Sequence, residues 1–149
     1  MKQFAIAISI FMSVIFIGCD SPSLIGKKVK KTYFTGGQVS SEFIMEDNSG
    51  QNGFLKKYGY DGKLTSTATI RNGVKTGVET GFDSQGRVLW KFQYINGKKQ
   101  GIQKAYYPNG DVMVSYTYEN GLKNGPAYAF NRDGSVYKKV LYKHGKIVN

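Results

Sequence analysis

Cysteine and histidine are the side chains most often used to bind metals and to activate nucleophiles, and this chain has one of each, Cys19 and His144. An internal disulfide and a zinc site built from several Cys or His ligands are therefore excluded. A Cys–His or Ser–His nucleophile pair would have to use His144. The acidic residues form no recurring pair that would face into one pocket, as general acid–base catalysis requires. We predict a protein that is not an enzyme, has no small-molecule substrate and needs no metal or cofactor.

Cys19 directly follows a hydrophobic N-terminal segment. Lys2 precedes an apolar run over residues 4–17, and Gly18 stands before the cysteine. A basic start, a short apolar run and a small residue are typical of a secretory signal peptide. The run is shorter than the roughly 20 residues of a membrane-spanning helix. We predict that residues 1–18 are a cleaved signal helix.

The stretch Phe16-Ile17-Gly18-Cys19 resembles the lipobox of bacterial lipoproteins. This resemblance implies that lipid, such as palmitate-containing diacylglycerol, is attached to the Cys19 thiol and anchors the protein to a membrane. It also implies a location in the bacterial cell envelope, facing the periplasm or the exterior. The alternative is an ordinary signal peptide that is followed by an incidental cysteine.

Residues 19–31 are predicted to be a basic tether between the lipid and the folded domain. The segment is poor in large apolar residues and carries four closely spaced lysines that would lie near the bilayer, Lys27, Lys28, Lys30 and Lys31. Each lysine near an anionic membrane surface contributes roughly 1 kcal/mol to binding. The alternative is a solvated linker whose lysines only keep it soluble.

Glycine spacing indicates that residues 32–149 form one repeat domain. Twelve of the 19 glycines recur every 24 residues in three series: Gly53, Gly77, Gly101, Gly125; Gly62, Gly86, Gly110, Gly134; Gly73, Gly97, Gly121, Gly145. Such self-similarity at a fixed period is the mark of a repeat architecture. The full units are 48–71, 72–95, 96–119 and 120–143, and residues 32–47 fit as a degenerate capping unit with one inserted residue.

Apolar residues alternate with polar ones inside each unit, which favours strands over helices. Asn-Gly pairs at Asn72, Asn96 and Asn120 are typical of tight hairpin turns, and His144 takes the same position in the partial last unit. Because every connection is short, neighbouring strands in sequence should pair in space. We predict an all-β fold, an elongated single-layer antiparallel meander of tandem 24-residue β-hairpin repeats with about ten strands.

The units resemble MORN-type repeats, in which a glycine, an aromatic residue and a second glycine recur at about this length. The stretch over residues 96–110, NGKKQGIQKAYYPNG, is similar to the bacterial variant found in YwqK-family antitoxins. The resemblance covers residues 48–149 well and 32–47 loosely. It implies the fold and a role in binding, because repeats of this kind serve as surfaces for many partners.

The aromatic residues admit two interpretations, a stacking platform for a ligand or the core of the protein. Burial of each large side chain is worth roughly 1.5–3 kcal/mol, which favours the core. We expect them on one apolar face of the sheet: Tyr58, Phe82, Tyr106, Phe130, Trp90, Phe92, Tyr94, Tyr116, Tyr118 and Tyr142.

The opposite face carries apolar residues where threonine, lysine and glutamine otherwise predominate. Leu89, Met113 and Tyr137 share one repeat position, and Tyr107 and Leu141 extend the stripe. We predict that this stripe binds a partner. The alternative is a set of scattered exposed apolar residues, which are normal on protein surfaces.

The net charge of +11 sets the range of partners. An exported protein would not routinely meet nucleic acid, so the charge favours anionic lipid headgroups or acidic wall polymers as partners. The alternative is that the charge only keeps the protein soluble. We predict a non-enzymatic scaffold that mediates protein–protein interaction in the cell envelope. The alternatives are a module that binds glycan or anionic lipid and an antitoxin-like neutralising protein.

Overall fold

The computed structural model describes residues 27–148, and this part of the chain is all β and contains no helix. The predicted signal helix and the predicted lipid-attachment residue Cys19 lie outside the described residues. The strands are β1 Val29–Tyr33, β2 Val39–Met45, β3 Gly53–Tyr58, β4 Leu64–Arg71, β5 Val74–Phe82, β6 Val88–Ile95, β7 Lys98–Lys99, β8 Gly101–Tyr106, β9 Val112–Glu119, β10 Leu122–Phe130, β11 Val136–Lys143 and β12 Lys146–Val148.

All strands belong to one antiparallel sheet in which strands that follow each other in sequence are paired. The short strand β7 and the strand β8 after it both pair with β6. The predicted fold class is confirmed for the described residues. There are twelve strands rather than about ten, partly because a bulge separates β7 from β8. The sheet also begins at Val29, before the expected domain start at residue 32. Lys30 and Lys31 therefore lie in a strand and not in a tether, because they pair with Phe43 and Glu42.

Two kinds of turn recur along the sheet and set the repeat. Asn72, Asn96, Asn120 and His144 all have positive φ angles near 50°, and each precedes a glycine that also has positive φ. Consecutive positive φ values match the twist of a hairpin, and asparagine tolerates them better than most residues. The interpretation of His144 as a turn residue is confirmed.

The second kind of turn, which we call the wide loop, spans five residues and identifies the capping unit. In each wide loop the N–H of the first residue donates a hydrogen bond to the carbonyl of the fifth, and the N–H of the fourth, a glycine, donates to the carbonyl of the first. Phe34 and Gly37 make this pair of bonds at 2.9 Å each, as Asp83 and Gly86 do at 2.9 and 3.0 Å. The first hairpin is therefore a repeat unit, as its sequence predicts.

The second, third and fourth full units also contain a bulge that follows their first turn, whereas the first full unit pairs regularly through Gly53. Gly77, Gly101 and Gly125 have positive φ there, and two extra residues on the bulged strand interrupt the pairing. Glycine adopts this backbone conformation without a steric penalty. The residue two positions further on, Glu79, Gln103 or Ala127, is buried.

Cross-strand partners define the two faces of the sheet. The face that we call the aromatic face contains Trp90, Phe92, Tyr94, Tyr116, Tyr118 and Tyr142. The other, the polar face, contains the row Lys31, Glu42, Lys56, Thr67, Thr80, Lys91, Lys104, Ser115, Tyr128 and Lys139. Partners across an antiparallel pair point to the same side, so these assignments follow from register alone.

The expectation that the aromatic residues form a core is wrong in two respects. First, no second layer covers the aromatic face within residues 27–148. Its large rings are half-buried, and the buried apolar residues described there are only Ala68 and Ala127, because Ile44 is buried on the polar face, where it pairs with Phe54. Second, Tyr58 points to the polar face because its strand neighbour Lys57 pairs with Ser66 on the aromatic side. The same alternation places Phe82, Tyr106 and Phe130 on the polar face.

Candidate binding surfaces

The described residues bring together no group of three or more His, Cys, Asp or Glu side chains that could hold a metal ion. Acidic side chains in the loops stabilise the turns by accepting hydrogen bonds from neighbouring residues. Asp133 accepts hydrogen bonds from the hydroxyl and the N–H of Ser135 at 2.5 and 2.8 Å, and these bonds lower the pKa of its carboxyl group. In the part of the chain that is described, no helix is long and apolar enough to cross a membrane.

The predicted stripe lies beside the wide loops and is unevenly exposed. Leu89 and Tyr137 are exposed by 38% and 62%, and Leu141 is exposed further along its strand. Met113 and Tyr107 are half-buried. The Tyr107 hydroxyl donates a hydrogen bond of 2.8 Å to the Phe130 carbonyl, which explains its burial. Tyr107 thus ties two consecutive units together as well as lining the surface.

A second apolar row on the polar face was missed by the sequence analysis. Phe54, Val78 and Ile102 directly follow the first glycine of three successive units, and all are exposed, Ile102 by 60%. In the fourth unit Pro126 takes this position and pairs with the exposed Leu141. Phe54, Val78 and Ile102 could have been found from the sequence, because they obey the same 24-residue spacing as the glycines. We call Phe54, Val78, Ile102 and Leu141 the apolar row.

Lysines flank the apolar row. Lys56 and Lys104 lie two residues along the same strands as Phe54 and Ile102, and Lys91 pairs directly with Lys104 across β6 and β8. Lys91, Lys104 and Lys139 are exposed. Like charges directly opposite each other destabilise a sheet. Their juxtaposition therefore favours binding of a group that neutralises them.

Two clefts repeat with the lattice at the wide-loop end of the polar face. One, of about 310 Å³, is lined by Arg87, Val88, Lys91, Tyr106, Pro108, Asn109 and Gly110. The other, of about 430 Å³, is lined by the residues 24 positions later together with Ile102 and Lys104, namely Asp111, Val112, Ser115, Phe130, Arg132, Asp133 and Gly134. Each cleft thus places one lysine and one arginine beside apolar side chains, and the larger cleft also includes Ile102.

The aromatic face carries its own series of charges. Lys75, Lys99 and Lys123 occupy one repeat position, and the ammonium of each lies over aromatic rings. Cation–π contacts of this kind contribute roughly 0.5–2 kcal/mol each. These contacts could not be predicted from local sequence patterns, because the rings and lysines come from different strands.

Comparison with protein-family models and with curated proteins finds no match to this chain. The resemblance to MORN-type repeats and to YwqK-family antitoxins therefore remains a prediction from the sequence.

Proposed function

We propose that this protein is a non-enzymatic, lipid-anchored MORN-type repeat scaffold of the bacterial cell envelope, and that its polar face binds a protein partner. The observation that carries the proposal is the apolar row, three of whose exposed side chains, Phe54, Val78 and Ile102, recur at one repeat position beside a row of lysines. Water-exposed apolar side chains that form a line, rather than isolated points, mark interaction surfaces.

The charge of the polar face defines the chemistry of the partner. Lys91 and Lys104 face each other, and Arg87 and Arg132 border the clefts. A complementary surface would present apolar side chains to the row and carboxylates to the lysines. Such charge pairing steers encounter and fixes register, while the apolar contacts supply most of the affinity.

The predicted lipid anchor would hold this face near other envelope proteins. Attachment at Cys19 and the basic residues Lys27, Lys28, Lys30 and Lys31 would keep the sheet close to the bilayer, where an anchored protein has a high effective concentration for its neighbours. Replacement of Cys19 by serine should abolish incorporation of labelled palmitate and move the protein from the membrane to the soluble fraction. Continued lipid labelling of that variant would contradict the anchor.

Site-specific crosslinking tests the binding face. A photoreactive residue at Ile102 should give one discrete adduct in cells, whereas the same residue at Ile147, which is exposed on the aromatic face, should give none. The partner from the adduct, purified, should bind the wild type and lose affinity by about tenfold with Val78→Ser plus Ile102→Ser. Ile147→Ser is the control, because Ile147 is 62% exposed and lies on the aromatic face, where it pairs with Tyr142. Equal losses in the two variants would contradict the proposal.

A further inference from the structure

The lysines of the aromatic face hold charge in an unusual setting. Lys75 pairs with the Glu79 carboxylate at 2.5 Å. The Lys99 ammonium lies 3.9 Å from the ring centre of Phe92, and the Lys123 ammonium lies 3.9 Å from that of Tyr116. Among residues 27–148, no carboxylate lies within ion-pair distance of Lys99 or Lys123. Two half-buried ammonium groups on this face therefore have only aromatic rings as close partners for their charge.

The positive charges of these lysines influence the pKa of the neighbouring lysine in the row. Burial lowers the pKa of Lys99, and the positive charges of Lys75 and Lys123 lower it further, against the opposing effect of Glu79. The row thus carries three positive charges against the one negative charge of Glu79, in a partly dehydrated setting where charges interact more strongly than in water. An anion placed along the row would offset that excess of positive charge.

The repeat sets the spacing of the row. Successive lysines come from units that are two strands apart, and strands lie about 4.8 Å apart, so the backbone positions recur about every 10 Å. Aromatic rings occupy the intervals: Tyr118 lies near Lys99, and Tyr142 near Lys123, at 5.3 and 4.7 Å from the ammonium groups. A linear ligand would meet cation and ring in alternation.

We propose that the row Lys75, Lys99 and Lys123, with the rings around it, binds a linear acidic polysaccharide. The carbon-bound hydrogens of sugar rings stack on aromatic faces, and carboxylate or phosphate groups on the sugars accept hydrogen bonds from the ammonium groups. A chain can follow the right-handed twist of the sheet along its length. A flat bilayer cannot follow that twist. Its headgroups also have poor access to ammonium groups that are packed against the aromatic rings.

Trp90 provides the readout for a direct test. It is the only tryptophan, and its ring stacks on Phe92 at 4.4 Å between centres, directly beside the Lys99 contact. Full-length protein in detergent would be titrated with galacturonate oligomers of increasing length while its fluorescence is followed. Affinity should rise with length until the oligomer reaches all three lysines, and then level off. Affinity that does not depend on oligomer length would overturn the proposal.

Matched variants distinguish binding at the aromatic face from non-specific attraction to the positive charge of the protein. Lys99→Gln plus Lys123→Gln should weaken binding of the longest oligomer by about tenfold. Lys104→Gln plus Lys139→Gln removes the same charge from the polar face and should weaken it by less than about threefold. Circular dichroism and thermal unfolding would verify that both variants fold, and a Tyr118→Leu variant, which keeps every charge, should also lose affinity. Equal losses in the two lysine variants would overturn the proposal.

Three further probes distinguish the occupants. Polyglutamate of matched charge should bind more weakly than polygalacturonate, because it has no sugar rings to stack. Vesicles with anionic phospholipid and single-stranded nucleic acid should produce no change that depends on Lys99 and Lys123. Binding of polyglutamate, vesicles or nucleic acid as tight as that of polygalacturonate, and equally dependent on these lysines, would overturn the assignment to a polysaccharide. These results do not depend on the polar-face partner, whose binding is tested by Val78 and Ile102.

Discussion

The side chain of Gln103 closes the gap in the sheet opposite Gln93. Its Oε1 accepts a hydrogen bond of 2.6 Å from the Gln93 N–H, and its Nε2 donates to the Gln100 and Gly101 carbonyls at 2.9 and 3.2 Å. Gln103 is 1% exposed. One amide thus satisfies backbone groups that the bulge between β7 and β8 leaves without strand partners.

Replacement of Gln103 by alanine should lower the free energy of unfolding by about 1–3 kcal/mol, because the substitution leaves buried backbone groups without partners. Urea unfolding, followed by the fluorescence of Trp90, measures the change. Gln103→Glu should also destabilise the protein, since a carboxylate accepts from Gln93 but cannot donate to the two carbonyls. Gln85→Ala, in an exposed loop, is the control. Unchanged stability of Gln103→Ala would show that water satisfies these groups equally well.

Gly81 lies beneath the indole ring of Trp90, its direct partner across β5 and β6. A Cβ atom there would overlap the ring. Gly81→Ala should therefore cost about 1–3 kcal/mol and shift the emission of Trp90 to longer wavelength as the ring is displaced into water. In a Trp90→Val background the same substitution should cost much less, and additive costs would contradict the contact.

Gly77 is a second glycine whose replacement should destabilise the protein, but for a different reason from Gly81. It has a φ of 68°, and a Cβ atom there would meet nothing within 4 Å. Gly77→Ala should destabilise the protein through backbone strain, by about 1–2 kcal/mol, and leave the emission of the folded state unchanged. A shifted emission spectrum would mean that the bulge moves as a whole.

Asn120 should contribute to the stability of the protein because it tolerates the backbone conformation of its turn. Its φ is 50°, so Asn120→Ala should lower the free energy of unfolding by about 1 kcal/mol, whereas Asn120→Gly should change it by a few tenths. Thermal unfolding measures both. Ser84→Ala in a wide loop is the control, since Ser84 has no positive φ. An alanine variant as stable as the glycine variant would contradict this explanation of the turn.

Glu42 should make stability depend on pH. Its carboxylate accepts a hydrogen bond of 2.7 Å from the Tyr58 hydroxyl and pairs with Lys31 at 3.0 Å, and these contacts hold its pKa below the ordinary 4.5. A lowered pKa in the folded state gives stability that is present above the unfolded pKa and is lost as pH falls through the folded value.

The test compares Glu42→Gln with the wild type by urea unfolding. The variant should be less stable by about 1 kcal/mol at about pH 7, and the difference should shrink towards zero as the pH is lowered to about 3. Glu46→Gln removes a carboxylate from a more exposed pair with Arg71 and should have little effect at either pH. A pH-independent cost of Glu42→Gln would show that packing, and not charge, is responsible.

The repeat itself was predictable because its glycines and asparagines are required by backbone geometry. Gly73 and Asn72 have positive φ, a condition that few other residues satisfy, so their spacing directly reports the hairpins. The single layer and the antiparallel pairing followed from the short connections. The capping unit was found for the same reason, although one inserted residue offsets it.

The faces of the sheet were harder to predict, because bulges interrupt the alternation of side chains. A register shift lies between Gly81 and Phe82, and two extra residues separate Thr76 from Thr80 relative to their partners. A pattern of period two carries no mark of such shifts. Tyr58 and Phe82 were therefore placed on the wrong face, and the apolar row of Phe54, Val78 and Ile102 was overlooked.

The candidate sites were predicted only in part for a further reason. The contacts of Lys99 and Lys123 with rings join strands whose register depends on the bulges, so no local pattern reveals them. Leu89, Met113 and Tyr137 were found because they share one repeat position. The chemistry of a surface assembled from several units thus depends on a register that the sequence does not display.

In the sheet formed by residues 27–148, the outer edges of β1 and β12 have no strand partner, and this bears on how the protein avoids self-association. Strand β1 at one end carries Lys30 and Lys31, and β12 at the other end is three residues long and begins at Lys146. An uncovered edge can recruit a strand from another molecule, and lysines and short length both oppose this. Because the two ends share the same charge, growth of copies end to end into fibres would bring lysines together at every junction. At low salt the sheet is thus protected from polymerisation by the same residues that terminate it.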